Sequence, residues 1–345
     1  MYKINLLGKV AYLKTEEDVF LFAKERLGKY DFDIILNDLN CGVDRVKRDF
    51  LSLKAFNSKR IVGKSKMIYK NNLGVMVANF FMGFRFKLRA NKKNSIEDNL
   101  RDETAIRKVV HKIITLGNTN DIKLNSFFTF ASLTAGGQKL GQFMPIVAKT
   151  IYEKYCPIEN AKILDISAGF GGRLVGAMSS KYNYNYVGVD PSTKAIDGLN
   201  KLIKFLNVED RARVIQLPFE DSDKELEDDS FNLCFTSPPY FKKEIYSDEK
   251  TQSCNRYDGL EDWGNNFLKK SFEIAYKKIK KGMCMLINIA DIKINGVVYP
   301  LEELTIEMAK KSGFLYDGYK LMEMARMPGI GKKFKNEKIF IFRKV

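Results

Sequence analysis

The sequence predicts an α/β fold over residues 126–345, with a mostly parallel sheet, and a basic α+β extension over residues 1–125. Apolar runs at 161–166 and 186–189 have the length of buried strands, and a helical pattern follows each run. This alternation is typical of a parallel sheet. A further run at 230–234 leads into two prolines, which cannot continue a strand. Because ligands bind at the carboxyl ends of strands in such sheets, we expect the functional site there.

The composition is strongly basic, with 58 Lys and Arg against 42 Asp and Glu and a net charge of +16. A basic surface attracts polyanions, so the charge favours nucleic acid as a partner. An alternative interpretation is that abundant Lys, Asn, Ile and Phe reflect an AT-rich genome. The hydrophobic content of 45% is ordinary for a globular protein.

Cysteine and histidine usage argues against several mechanisms. The five cysteines form no CxxC pair, and His111 is the one histidine, so we expect no metal site and no histidine-dependent nucleophile. Unpaired cysteines favour a reducing compartment, and the start of the chain does not resemble a signal peptide, so a cytoplasmic location is expected. The most apolar stretch, residues 73–86, is too short and polar for a bilayer, so no membrane partner is expected.

A glycine-rich turn follows the first strand of the α/β region, over Ser167, Ala168, Gly169, Phe170, Gly171 and Gly172. Such a turn lets a ligand approach the backbone closely. The second strand ends in Asp190, a carboxylate placed to accept hydrogen bonds from a ribose diol. The GxGG spacing differs from the GxGxxG of pyrophosphate-binding loops. An adenosine-containing cofactor without phosphates is therefore favoured, and S-adenosylmethionine fits.

The sequence Ser237-Pro238-Pro239-Tyr240 follows the strand at 230–234. The prolines stiffen the backbone, and Pro238 favours an extended conformation at Ser237. The result is a rigid segment with a hydroxyl group, unpaired carbonyls and an aromatic ring at the edge of the sheet. The alternative is a simple Pro-Pro turn with a core tyrosine.

In this order, strand–GxGG–helix, strand–Asp and strand–Ser-Pro-Pro-Tyr resemble the S-adenosylmethionine-dependent DNA amino-methyltransferases. The resemblance covers about residues 130–345 and makes residues 126–345 the methyltransferase domain. It implies a Rossmann-like class I methyltransferase fold, a mostly parallel seven-stranded sheet with an antiparallel last strand. Residues 143–145 are similar to the segment over the methionine end of the cofactor, and 337–342 to the last strand.

The motifs and the strand ends define the expected site. The cofactor-binding residues are expected to be Phe143, Asp165, Ser167, Ala168, Gly169, Gly171, Gly172, Asp190, Pro191, Phe219, Glu220 and Thr236. The catalytic residues are expected to be Ser237, Pro238, Pro239 and Tyr240. The serine form of the last motif resembles N4-cytosine enzymes more than N6-adenine enzymes. Alternatives are an N6-adenine DNA methyltransferase, an RNA methyltransferase, or a non-catalytic nucleic-acid-binding protein on the same scaffold.

Recognition of the target often depends on a region after the catalytic domain in family members with this motif order. Here we expect it from residues 1–125, from the long insertion at 242–262, from a partner, or not at all. In the extension, 33–36 is a candidate strand, and 43–56 and 103–116 have helical patterns. The residues expected to contact nucleic acid are Lys242, Lys243, Arg256, Tyr257, Lys332 and Lys333.

Overall fold

The computed structural model divides the chain into two compact units. The first contains residues 1–46 and 83–141, and the second contains residues 47–82 and 142–345. The predicted boundary after residue 125 differs from this division, because residues 47–82 belong with the second unit. The structure describes residues 1–39, 42–63, 67–89, 93–117, 120–134, 140–243, 247–324 and 336–345.

The strands and helices are numbered in chain order. The strands are β1 (Tyr2–Leu6), β2 (Lys9–Leu13), β3 (Met67–Ile68), β4 (Ile122–Lys123), β5 (Lys162–Asp165), β6 (Asn185–Val189), β7 (Ala212–Ile215), β8 (Phe231–Thr236), β9 (Ile279–Ile289), β10 (Ile292–Ile294), β11 (Val297–Tyr299), β12 (Leu315–Glu323) and β13 (Asn336–Arg343). The helices are α1 (Glu16–Lys29), α2 (Phe32–Leu39), α3 (Val43–Ala55), α4 (Val75–Phe81), α5 (Ile96–Arg101), α6 (Glu103–Thr115), α7 (Leu124–Thr134), α8 (Pro145–Tyr155), α9 (Gly172–Met178), α10 (Thr193–Leu206), α11 (Ser253–Arg256), α12 (Leu260–Asp262), α13 (Lys270–Lys278) and α14 (Leu301–Lys311). Trp263–Lys269 is a π-helical segment that joins α12 to α13.

The first unit combines a small sheet, in the order β2-β1-β4, with helices around an apolar core. Thr15 begins α1 with a capping box, since its hydroxyl accepts from the Asp18 N–H at 3.1 Å and Asp18 accepts from the Thr15 N–H. The candidate strand at 33–36 was wrong, because these residues lie in α2. Phe32, Ile35 and Leu36 are buried at the i, i+3, i+4 spacing of one helix face.

The second unit is built on a sheet of eight described strands, in the order β3-β12-β13-β9-β8-β5-β6-β7. Strands β7, β6, β5, β8 and β9 pair in parallel, and β13 is antiparallel to both β9 and β12. Seven of these strands form the predicted Rossmann-like class I methyltransferase sheet with its antiparallel last strand. The eighth, β3, comes from residues 47–82 and pairs with β12.

Residues 47–82 are fixed to the second unit by a buried lysine of α8. Lys149 is 2% exposed, and its Nζ donates to the carbonyls of Leu53, Lys54 and Phe56 at 2.7–2.9 Å. These carbonyls lie at the end of α3, where no further helical turn follows to bond them. The lysine therefore caps α3 and attaches its carboxyl end to α8.

Within the described residues, each helix is too short or too polar to cross a membrane. The same residues contain no cluster of three or more His, Cys, Asp or Glu side chains that is placed to hold a metal ion.

Candidate active site

The glycine-rich turn joins β5 to α9 and depends on glycine at several positions. Gly169 and Gly171 have φ angles of +55° and +80°, a region that side chains with a Cβ rarely adopt. A Cβ atom on Gly172 would overlap the carbonyl oxygen of Phe143. Ala168 is buried, and its N–H donates to the Val189 carbonyl at 3.0 Å. The turn is thus held against the end of β6.

Asp165 lies at the centre of a buried hydrogen-bond network under this turn. Its Oδ1 accepts from Thr236 Oγ1 at 3.0 Å and from the half-buried Ser167 N–H at 3.3 Å. Its Oδ2 accepts from Arg173 Nε at 2.8 Å and from the Tyr186 hydroxyl at 2.7 Å. Asp165 and Thr236 are fully buried, and their hydrogen bond connects the ends of β5 and β8 beneath the loops; their contact with the cofactor stays a prediction.

Arg173 lies in the site but was not among the predicted cofactor-binding residues. It is 5% exposed, donates to Asp165 and to the Ser167 carbonyl, and lies 5.5 Å from the centre of the Phe143 ring. Burial alone lowers the pKa of Arg173, but the Asp165 carboxylate outweighs burial and raises it. The signal in the sequence was an arginine directly after GxGG and eight residues after an aspartate.

Asp190, at the end of β6, accepts one backbone hydrogen bond on each carboxylate oxygen. Gly169 N–H donates to Oδ2 at 2.8 Å and Ser192 N–H to Oδ1 at 3.0 Å. Asp190 is 8% exposed, and burial raises its pKa to about 6 although both N–H groups oppose the rise. Each oxygen keeps a further lone pair, as a ribose diol requires. Pro191 is half-buried and precedes Ser192, the N-cap residue of α10.

The segment before α8 contributes two side chains beside the glycine turn. Phe143 packs edge-on against Phe235 with ring centres 5.2 Å apart. Gln142 Nε2 donates to the Phe170 carbonyl at 2.9 Å, while Gln142 Oε1 is buried without a hydrogen-bond partner in the described part of the chain. A buried acceptor beside a glycine turn suits a cationic donor. The site thus fits the α-ammonium group of S-adenosylmethionine as well as its ribose.

The turn after β7 is attached to the insertion at 242–262. Phe219 is buried, and Glu220 Oε1 accepts from the Tyr257 hydroxyl at 2.8 Å and lies 3.1 Å from Arg256 Nη1. Burial raises the pKa of Glu220. Arg256 and Tyr257 were expected to contact nucleic acid, but their polar groups bind this turn, and Tyr257 is only 8% exposed. These internal contacts were not predicted, because the sequence of a long loop does not show which residues of the folded chain it contacts.

The Ser-Pro-Pro-Tyr segment leaves the sheet directly after β8. Ser237 and Pro239 are half-buried and Pro238 is buried. Among the described residues, nothing hydrogen-bonds the Ser237 hydroxyl. Phe241 closes the segment in the left-handed region, at φ +49°, with its N–H donating to the Pro239 carbonyl at 3.0 Å. Its buried ring packs against Trp263, with centres 5.9 Å apart, and anchors the loop in the core.

Tyr240 is half-buried, and its hydroxyl is held at the last strand of the sheet. The hydroxyl donates to Glu337 Oε2 at 3.3 Å, and Asn288 Nδ2 lies 3.5 Å from the same oxygen. Lys243 Nζ lies 5.5 Å from the centre of the ring. The orientation of the ring is thus set from both β13 and the start of the insertion.

The predicted nucleic-acid lysines fall into two groups. Lys242 and Lys243 are half-buried beside the Ser-Pro-Pro-Tyr segment, and Lys242 Nζ lies 4.0 Å from Asp258 Oδ1. Lys332 and Lys333 lie outside the described residues.

Strand pairing brings the three predicted loops together. β5 pairs with β8 on one side and with β6 on the other, all in parallel. Their carboxyl ends carry the glycine turn, the Ser-Pro-Pro-Tyr segment and Asp190, which therefore share one edge of the sheet. The fold and this edge define the class of protein: a class I methyltransferase fold with its three motif loops side by side.

Comparison of the sequence with family models and with curated proteins gave no match. Among solved structures, a precorrin-6y C5,15-methyltransferase from Geobacter metallireducens aligns with 58% of this chain and 88% of its own, at 12% identity and a TM-score of 0.40. A TehB-like SAM-dependent methyltransferase from Corynebacterium glutamicum aligns with 62% of this chain and 92% of its own, at 15% identity and a TM-score of 0.38. A SAM-dependent O-methyltransferase from Thermotoga maritima covers 60% and 68%, at 10% identity and a TM-score of 0.40. No substrate follows from similarities this low, and the fold assignment depends on the strand order.

Proposed function

We propose that this chain transfers a methyl group from S-adenosylmethionine to an exocyclic amino group of a DNA base, with N4 of cytosine as the favoured acceptor. The observation that carries the proposal is the 3.0 Å hydrogen bond from Thr236 Oγ1 to Asp165 Oδ1. It joins the last residue of β8 to the end of β5. An acceptor loop and a cofactor loop are thereby held at a fixed separation, which is what a direct group transfer requires.

The chain's own part in the reaction is to bind and orient the amino group. The lone pair of an exocyclic amine is delocalised into the ring, which makes the nitrogen a weak nucleophile. The Ser237 hydroxyl and the Pro238 carbonyl are proposed to accept the two N–H groups, so that the lone pair concentrates on the nitrogen. As the new N–C bond forms and the C–S bond breaks, S-adenosylhomocysteine would leave and the nitrogen would release one proton to solvent. Bound S-adenosylmethionine would supply the electrophilic methyl group.

An amino group inside a duplex cannot reach such a loop, so the target base must be extruded. We propose that the Tyr240 ring stacks on the extruded base. The bond from its hydroxyl to Glu337 supports this role, because it fixes the orientation of the ring. The net charge of +16 supports a polyanionic substrate.

The proposal is tested by incubating the protein with labelled S-adenosylmethionine and mixed DNA and RNA, followed by mass spectrometry of the nucleosides. We expect N4-methylcytosine in the DNA, formed about 10²- to 10³-fold more slowly by Ser237→Ala. N6-methyladenine in the DNA would show that the target base is adenine. Label in RNA alone would show that the substrate is RNA. Label in neither pool, with intact cofactor binding, would favour the non-catalytic scaffold.

A further inference from the structure

The described part of the insertion contacts the loop after β6, which carries Asp190, and the turn after β7, which carries Glu220. On one side, Glu249 Oε1 accepts from the N–H of Thr193, the first residue of α10, at 3.2 Å. On the other side, Arg256 and Tyr257 bind the turn that contains Glu220. The insertion therefore bridges the loops after β6 and β7.

Arg256 holds two consecutive carboxylates of that turn. Its Nη1 lies 2.6 Å from Asp221 Oδ2 and 3.1 Å from Glu220 Oε1, and its Nη2 lies 3.3 Å from Asp221 Oδ1. The Glu220 side chain is only 2% exposed, whereas that of Asp221 is 47% exposed. Removal of one partner from a buried charge pair leaves the other charge uncompensated. The position of Glu220 therefore depends on Arg256.

The described part of the insertion is braced internally, so that it acts as one piece. Asn255 Nδ2 donates to the carbonyls of Ser247 and Glu249 at 3.0 and 2.9 Å. Gln252 Nε2 donates to Glu249 Oε2 at 3.3 Å. Tyr257 anchors the end of this piece, because its ring is buried among core residues while its hydroxyl binds Glu220.

We propose that Glu249, Arg256 and Tyr257 form the insertion's part of the wall of the adenosine half of the cofactor site, with Arg256 and Tyr257 as positioning residues for Glu220. The inference rests on the proposed function, since it assigns the wall to the S-adenosylmethionine site. It also gives the insertion a role other than target contact.

The test is the affinity for S-adenosylhomocysteine, measured by calorimetry on the full chain. Arg256→Ala is expected to weaken binding about tenfold, within the usual range of coupling between sites, and Arg256→Lys less than Arg256→Ala. In turnover assays, Arg256→Ala should raise the cofactor KM by a larger factor than it lowers kcat. Lys250→Ala is the matched control, because Lys250 belongs to the same insertion, is exposed, and has no partner in the described residues. It should bind like the wild type.

Several outcomes would overturn the inference. Wild-type affinity for S-adenosylhomocysteine in Arg256→Ala would remove the positioning role. If the same variant lost affinity for a fluorescent DNA duplex of mixed sequence, Arg256 would be a nucleic-acid contact instead. Should Arg256→Ala fail to fold, Tyr257→Phe is the second test of the inference. It removes only the hydroxyl that binds Glu220, so it should still weaken cofactor binding, and wild-type affinity would overturn the positioning role. A wild type that binds no S-adenosylhomocysteine would overturn the proposed function itself, which is a distinct result.

Discussion

Asp190 must be ionised to accept hydrogen bonds from a ribose diol while it also accepts from Gly169 and Ser192. Its pKa of about 6, raised by burial, places the loss of that charge within an accessible pH range. Because bound hydroxyl groups favour the ionised form, affinity for S-adenosylhomocysteine should be constant above about pH 7. It should fall by up to about tenfold per pH unit below about pH 6. Calorimetry between about pH 5 and pH 8 measures this dependence.

The matched control for this pH dependence is Asp190→Asn, which keeps the shape of the side chain but has no proton to lose. It should bind more weakly at pH 7 and show no inflection near pH 6. A flat profile for the wild type would contradict the ribose role of Asp190.

Ser237 differs from Asp190 because its hydroxyl has no hydrogen-bond partner among the described residues. Ser237→Ala therefore leaves no buried group unpaired, and the melting temperature should be unchanged. If the hydroxyl accepts from the target amine in the transition state, kcat should fall about 10²- to 10³-fold, as for other positioned hydrogen-bonding groups. Affinity for S-adenosylhomocysteine should change little. An equal loss in kcat and in cofactor affinity would show that Ser237 binds the cofactor and not the target amine.

These residues show which parts of the site can be predicted from sequence. Gly171, Asp190 and Ser237 were identified because each follows a recognisable strand, so its place at the sheet edge follows from the fold. The carboxylate partners of Arg256 were not predicted, because they lie 35 and 36 residues earlier, in a turn that only the folded chain brings near. The sequence around a charged loop residue does not distinguish a phosphate partner from a carboxylate within the same chain.

At the scale of elements, the contact between the glycine turn and the segment before α8 can be tested at Gly172. Gly172→Ala places a Cβ on the Phe143 carbonyl, which belongs to the backbone and cannot rotate away. We expect a loss of about 1–3 kcal/mol in the free energy of unfolding, typical of overpacking, together with weakened cofactor binding. Urea denaturation and calorimetry measure the two effects.

Gly259→Ala is the control for Gly172→Ala, since a Cβ at Gly259 meets nothing within 4 Å and its φ is −111°. It should match the wild type in both assays. Equal stability of Gly172→Ala and Gly259→Ala would mean that the segment at 143–145 can shift without cost.

The attachment of α3 to α8 makes a separate prediction about stability. Lys149→Met removes three hydrogen bonds and leaves the carbonyls of Lys54 and Phe56 without a donor in the described part of the chain, while the Leu53 carbonyl keeps the Phe56 N–H at 3.2 Å. The expected cost is about 3 kcal/mol, because buried acceptors without partners carry a desolvation penalty. Lys154→Met is the matched control, since Lys154 is exposed on the same helix. Similar unfolding curves for the two variants would show that Lys149 does not hold residues 47–82.

At the scale of the whole molecule, the sheet was predictable and the boundary of the second unit was not. Alternating strands and helices indicated the parallel order, and the helical patterns near 43–56 and 103–116 are confirmed by α3 and α6. The run at 33–36 was misjudged because four apolar-rich residues fit a strand or a helix equally well. Strand β3 has two residues and joins the large sheet by pairing with β12, some 250 positions later. No local pattern marks such a partner.

The charge of the whole chain leads to a last prediction, about salt. If the net charge of +16 reflects a nucleic-acid partner, phosphate contacts will release counterions, and affinity for a DNA duplex of mixed sequence will fall steeply with salt. A protein with six to ten phosphate contacts loses about 10³- to 10⁵-fold between about 50 and 200 mM salt. Fluorescence anisotropy measures the slope. Affinity for S-adenosylhomocysteine should hardly change over the same range, because the Asp190 site is buried and poorly screened, and it serves as the internal control. Weak, salt-independent duplex binding would instead indicate that the basic composition reflects an AT-rich genome and not a nucleic-acid partner.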